Sequence, residues 1–277
     1  MTPPEAPVGR LLVCPTPIGN LEDVTLRVLD ALRSADLIAC EDTRHTRGLL
    51  DRHGISARLQ SFHEHNERAR AAELTARIAA GEVVALVSDA GTPLVSDPGF
   101  ALVRDCHQAG LPVEVLPGPS AVVSALVASG LPAGRWCFVG FLPRARGELE
   151  ELLVGATETL IAFESPRRLV ASLELLAARD PERELAVCRE LTKLHEEVRR
   201  GGAAELAAHY RANPPRGEVV LVCAAAAPGQ LPREEALAAL TRLVEAGAKA
   251  RPAAAAVAKL TGIGANELYR ELTASEQ

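Results

Sequence analysis

Short apolar runs alternate with amphipathic stretches from the first dozen residues onward. RLLVC at 10–14, DLIAC at 36–40, VVALVS at 83–88 and VEVL at 113–116 are brief, apolar-rich and rich in β-branched residues, the pattern of strands covered on both faces. Between them the apolar period lengthens. Residues 25–35 bring Leu26, Leu29, Ala31 and Leu32 to one helical face, and 67–80 reads as a long amphipathic helix closed by Gly81. Residues 45–53, ending at Gly54, and 100–109 read as two more helices. Strand and helix in strict alternation predict a mostly parallel sheet with helices on both faces.

A second series follows in a different order. It runs helix at 119–129, strands at 137–142 and 159–163, helix at 166–178, paired strands at 185–189 and 196–200, helix at 203–211 and strand at 219–224. Neighbouring strands without a helix between them predict antiparallel pairs. The pattern divides the chain into an α/β lobe at 8–117, a second α/β lobe at 118–227 and a cleft between them. From 231 to 277 strands disappear. Residues 232–247 read as one helix, and 250–272 as helix, glycine-containing turn and helix.

Composition narrows the class of protein. Only 3% of the 277 residues are aromatic, so Ala, Leu and Val must build the core. The six cysteines (Cys14, Cys40, Cys106, Cys137, Cys188, Cys223) are scattered, with no C-x-x-C pair. Neither a zinc site nor a disulfide framework is indicated, and the expectation is a reduced, cytoplasmic protein without a metal. No apolar run reaches membrane-spanning length, and MTPPEAPVGR lacks the character of a signal peptide. A formal charge of −6 argues against a protein that coats nucleic acid non-specifically.

The chemistry concentrates in loops. P-loop, G-x-S-x-G and H-E-x-x-H signatures are absent, and Gly262-Ile-Gly264 follows a helix rather than a strand. Four proline-containing loops each follow a predicted strand: Cys14-Pro-Thr-Pro-Ile-Gly-Asn20, Ser88-Asp-Ala-Gly-Thr-Pro93, Pro117-Gly-Pro-Ser-Ala121 and Glu164-Ser-Pro-Arg-Arg168. In open α/β sheets ligands bind beyond the carboxyl ends of strands. Small residues there expose backbone groups, and prolines lower the cost of ordering them. Glu41-Asp-Thr-Arg-His-Thr-Arg47 gathers acid, hydroxyl and base, which suits either substrate handling or a capped, salt-bridged first helical turn. Arg167 and Arg168 open a helix, where the dipole disfavours cations, and so hint at an anionic partner.

These loops carry a resemblance. TPIGNLEDVTLR, ACEDTRHT, SDAGTPLVSDPG, LPGPSA, FESPRR and RELTKLHEE, in this order, resemble the ribosomal RNA small-subunit methyltransferase I family, whose members are similar in fold to the tetrapyrrole methylases. The resemblance implies a two-lobed class III methyltransferase fold with a small all-helical C-terminal domain. It implies S-adenosylmethionine (SAM) as cofactor, bound between the lobes, and 2′-O-methylation of a decoding-region cytidine in 16S ribosomal RNA of the small subunit. It also implies a homodimer. Carried over motif by motif, the donor site falls on Pro17, Ala90, Gly91, Thr92, Val95, Ser120, Ala121, Phe163 and Leu191. Asp89 either binds the donor ammonium or caps its loop.

Attack by a ribose hydroxyl needs a group that takes its proton, and Asp42, Glu41, Glu190 and Lys193 are the candidates. Arg44, Arg47, Arg144, Arg146, Arg167 and Arg168 are the expected phosphate contacts. Two other readings compete: a precorrin-type tetrapyrrole C-methyltransferase sharing the donor site, and a non-catalytic RNA- or DNA-binding protein using the helical tail.

Overall fold

The computed structural model describes residues 9–226 and 233–274. The leader reading of the first residues, the lobe end at 227 and the tail's outer residues at 231–232 and 275–277 lie outside the described residues.

Five strands and four helices make the first half: β1 (Arg10–Val13), α1 (Leu26–Ser34), β2 (Leu37–Cys40), α2 (Thr43–Arg52), β3 (Leu59–Ser61), α3 (Glu67–Ala79), β4 (Val83–Leu86), α4 (Phe100–Gln108) and β5 (Val113–Val115). The sheet order is β3-β2-β4-β1-β5, with every pairing parallel. Successive side chains of a strand face opposite ways, and two cores result. Leu11, Val13, Ala39, Val84 and Leu86 pack with α3 and α4, while Leu12, Ile38, Cys40 and Ala85 pack with α1 and α2. Both-face burial is why these strands read as unbroken apolar runs.

The second half holds α5 (Ala121–Ser129), β6 (Trp136–Phe141), α6 (Arg146–Gly155), β7 (Thr159–Glu164), α7 (Pro166–Ala177), β8 (Glu184–Arg189), β9 (Glu197–Gly202), α8 (Ala203–Ala212) and β10 (Val219–Cys223). The order is β6-β7-β10-β8-β9. Only β6–β7 is parallel; β8–β9 is antiparallel, as its helix-free connection predicts, and β10 runs antiparallel to both β7 and β8. One face packs on α6, α7 and α8. The other buries Ile161, Ala186, Cys188, Val220 and Val222 against α5 and against Ile18 and Leu191. Ile18 belongs to the loop after β1, so this core joins the two halves.

Two elements escape the sequence reading. β3 is three half-buried residues at the sheet edge. In α6, Leu149 and Leu153 sit four positions apart and buried, but charged neighbours dilute the period. The tail is three helices, α9 (Arg233–Glu245), α10 (Ala250–Thr261) and α11 (Ala265–Ala274), closed around a core of its own that includes Leu240, Val257, Leu268 and Leu272. Arg233 of α9 pairs with Glu267 and Glu271 of α11. None of the described helices is long and apolar enough to cross a membrane.

Candidate active site

Three of the four loops are stitched into one surface, and the fourth lines the cleft beside them. Thr16 and Gly91 exchange backbone bonds in both directions, at 2.9 and 3.0 Å, making an isolated antiparallel bridge between the first loop and the second. The buried Thr16 hydroxyl donates to the Ser88 carbonyl at 2.9 Å, and the Ser88 hydroxyl to the Gly91 carbonyl at 3.1 Å. The Thr92 hydroxyl donates to the Pro119 carbonyl at 3.0 Å, tying in the third loop. Buried polar groups are costly unless paired, so these hydroxyls fix the loops where small residues alone would leave them loose. The first loop also reaches the second half. A Cβ at Gly19 would lie 2.4 Å from Cγ of Lys193, and the Asn20 N–H donates to the Thr192 hydroxyl at 3.0 Å.

Above this surface lies a cleft of about 360 Å3. Among the expected donor contacts, Ala90, Gly91, Thr92, Val95, Ser120, Ala121, Phe163 and Leu191 line it. Pro17 does not; its neighbour Ile18 does. Asp89 lies off the lining, and its carboxylate accepts the Asp42 N–H at 3.1 Å, holding the second loop against the start of α2. Backbone strain gathers beside the cleft. The described non-glycine residues with positive φ are Leu94 (72°), Ser96 (66°), Glu190 (51°) and Thr192 (64°), in two loops on either side of it. Such conformations persist only where surrounding structure imposes them, and they cluster at functional sites.

The four candidate proton acceptors separate by environment. Asp42 caps α2 by accepting the Arg44 N–H, and the Arg44 guanidinium bonded to its carboxylate draws its pKa down to about 2. Glu190 accepts the Glu218 N–H and the Lys193 ammonium, both at 2.9 Å, and these bonds hold it below the usual carboxylate range. Burial pulls Lys193 down, but its bonds to Glu218 and Glu190 outweigh that and raise it, so it stays charged. Glu41 goes the other way. Burial first, then the charge of Asp89, pushes its carboxyl up, and its Oε1 is buried without a partner. Sequence reasoning missed Asp97, which lines the cleft; burial and the charge of Glu41 push it up to about 7.

The expected phosphate contacts also divide. Arg47, Arg144, Arg146 and Arg167 are exposed. Arg44 is exposed but bonded to Asp42. Arg168 is committed internally: it donates to the carbonyls of Leu142 and Pro143 and lies 3.5 Å from Glu164, whose buried carboxylate accepts the Ser165 N–H and the Ser172 hydroxyl. A helix-opening cation finds its anion within the fold.

Comparison with known proteins places this arrangement. Residues 10–207 match the family model for Tetrapyrrole (Corrin/Porphyrin) Methylases. A Mesorhizobium japonicum protein named ribosomal RNA small subunit methyltransferase I is 47% identical over 95% of this chain and 90% of its own length. The chain belongs to the ribosomal RNA small subunit methyltransferase I family of tetrapyrrole methylases. It is therefore a methyltransferase. A Thermotoga maritima member of the family is 43% identical over 78% of this chain and 98% of its own length. The crystal structure of uroporphyrin-III-C-methyltransferase from Thermus thermophilus superposes with a TM-score of 0.57 at 25% identity, over 77% of this chain and 94% of that one.

Other cleft residues that sequence reasoning missed are Ile18, Phe141, Cys188 and the segment 217–220. The rule that ligands sit beyond the carboxyl ends of strands hides the last of these. β10 runs antiparallel to its neighbours, so Val219 at its start lies beside Glu164 and Arg189 at the ends of β7 and β8. The usable signal was Gly217, which opens a strand that sequence alone could not orient.

Proposed function

We propose that the chain uses SAM to methylate the 2′-hydroxyl of a decoding-region cytidine in 16S ribosomal RNA, acting on the small ribosomal subunit. The observation that carries the reading is the stitched floor of the cleft. Its lining is largely apolar and small, and Gly91 at φ 85° leaves a hollow where a Cβ would meet Ile18 Cγ2 at 3.3 Å. A flat nucleoside with a short charged chain fits such a surface, with backbone groups of the second and third loops within its reach. Ala90, Gly91, Thr92, Val95, Ser120, Ala121, Phe163 and Leu191 would hold it, with Pro17 and Asp89 fixing the loops they sit in. When bound, SAM supplies an electrophilic methyl group on a sulfonium.

The chain's own task is positioning. Holding the ribose oxygen in line, roughly 3–3.5 Å from the carbon it attacks, supplies much of the acceleration. The hydroxyl proton must leave as the C–O bond forms. Asp97 lines the cleft with its proton affinity raised and is poised to take it; Glu41 shares the raised affinity but lies off the lining, and Asp42 and Glu190 are held as weak bases by their partners. Arg47, Arg144, Arg146 and Arg167 would meet backbone phosphates; the last three follow the cleft residues Phe141 and Pro166 within a few positions.

The names of the full-length relatives favour RNA over a tetrapyrrole substrate. Val123 and Val127, one turn apart on α5 and 48% and 75% exposed, are the apolar face expected of a homodimer, which light scattering tests. The reduced cysteines suit the cytoplasm. The deciding experiment incubates methyl-labelled SAM with small subunits from a strain lacking the modification. Label in the ribose of one cytidine is expected; label in no RNA, with SAM nonetheless bound, would overturn the substrate assignment.

A further inference from the structure

A second cavity, of about 400 Å3, is walled by Arg189, Glu197, Arg199, Tyr210 and the segment 213–216. That segment continues directly into 217–220, which lines the cleft, so one strap of chain contributes to the walls of both cavities. The charges here are organised rather than scattered. The Glu197 carboxylate accepts Nε of Arg189 at 3.1 Å and Nε of Arg199 at 3.2 Å, which fixes both guanidinium planes. Arg189 Nη1 donates to the Arg216 carbonyl at 3.2 Å and ties down the strap. Both guanidinium groups of Arg199 and Arg189 keep outer nitrogens without a partner among the described residues, and the Arg216 guanidinium has no ion pair among them. Three arginines against one carboxylate leave the cavity strongly positive.

A second observation is independent of charge. Tyr210 is 1% exposed, lines this cavity, and its hydroxyl is buried without a hydrogen-bond partner. Buried hydroxyls are normally satisfied. Burial, with the Glu197 charge, pushes the phenol up to about 12, so it remains a donor at neutral pH. Guanidinium forks and an unfilled O–H donor in the wall of one hollow are what a tetrahedral oxyanion requires.

We propose that this cavity is a phosphoryl-binding site, with the outer nitrogens of Arg199 and Arg189, the Arg216 guanidinium and the Tyr210 hydroxyl as donors. Its anion is either a phosphodiester of a strand passing the cleft or a free phosphate. The inference does not depend on methyl transfer; in the phosphodiester case it extends the proposed RNA path across the strap.

The test titrates the full-length protein with inorganic phosphate and with a single-stranded RNA decamer at two salt concentrations, for wild type, Tyr210→Phe and the double variant Arg199→Gln, Arg216→Gln. SAM binding is measured separately on each. Each variant is expected to weaken phosphate binding roughly tenfold or more, the worth of a charge-assisted hydrogen bond. Tyr210→Phe should do so with thermal stability unchanged or raised, because it removes an unsatisfied buried group. If RNA is the source, decamer affinity falls in parallel and the salt slope of the double variant drops by about one or two. If free phosphate is the source, decamer affinity is unchanged. Wild-type protein that binds neither probe, or variants that bind both as wild type does, would overturn the proposal. SAM affinity stays constant in every arm, so a failure here is separable from a failure of the methyltransfer reading.

Discussion

Ala90 and Gly91 offer a way to separate filling the cleft from straining the loop. Ala90 lines the cleft, is solvent-exposed and has no positive φ, so Ala90→Leu adds carbon atoms to the cleft without burdening the fold. Overpacking a fitted site costs about 1–3 kcal/mol, which converts to a roughly 5- to 150-fold rise in SAM Kd. Gly91→Ala differs. A φ of 85° costs an alanine about 1–2 kcal/mol, and its Cβ would press on Ile18 Cγ2 at 3.3 Å, tighter than ordinary contact. At this chain length each kcal/mol lowers the melting midpoint by about 2–4 °C, so Gly91→Ala should melt roughly 2–8 °C early. Calorimetric titration with SAM and differential scanning fluorimetry read the two effects apart. Ala90→Leu protein that binds SAM with wild-type affinity would refute placement of the donor over the second loop.

Three further outcomes follow from the same geometry. Asp97 holds its proton in the folded protein up to about pH 7, whereas the unfolded chain releases it at its ordinary value of 3.8; its contribution is therefore complete below that lower value and is lost as pH rises through 7. Asp97→Asn should raise the melting midpoint at pH 8 but not at pH 3.5, and equal shifts at both pH values would contradict this. Glu164→Ala strands the Ser165 N–H and the buried Ser172 hydroxyl and should cost about 2–4 kcal/mol, read as a lowered denaturant midpoint; a neutral result would show that water replaces the carboxylate. Ser96→Gly relieves a φ of 66° and should stabilise by up to about 1 kcal/mol in thermal melts, with an unchanged midpoint meaning that the strain is absent in solution.

The fold was readable where burial was two-sided. Ile38, Ala39 and Cys40 are fully buried, and such strands leave unbroken apolar runs that no helix of that length imitates. Half-buried Leu59–Ser61 left no such trace. The loops announced themselves through proline and small residues, but not their stitching. Nothing in the sequence says that Thr16 bonds Ser88 across 72 positions. Chemistry was least legible. Asp42, Glu190 and Lys193 looked equivalent to Glu41 as candidates, because ion pairing and burial, not residue type, set their proton affinity. Asp97 lay in plain view in SDPG, yet only the packing shows that it is desolvated beside Glu41.

Substrate choice in this fold must arise at the rim. The fold is shared with a C-methyltransferase of uroporphyrin III, so the fold carries no information about RNA. What could carry it is positive charge not already consumed by the protein. Many arginines here are consumed: Arg27, Arg52, Arg77 and Arg211 all pair with carboxylates, in a chain whose 36 acidic residues outnumber its 30 basic ones. Arg47, Arg144, Arg146 and Arg167 are left exposed without ion pairs among the described residues. The helical tail, with a core of its own, lies outside residues 10–207, the stretch that the family model matches.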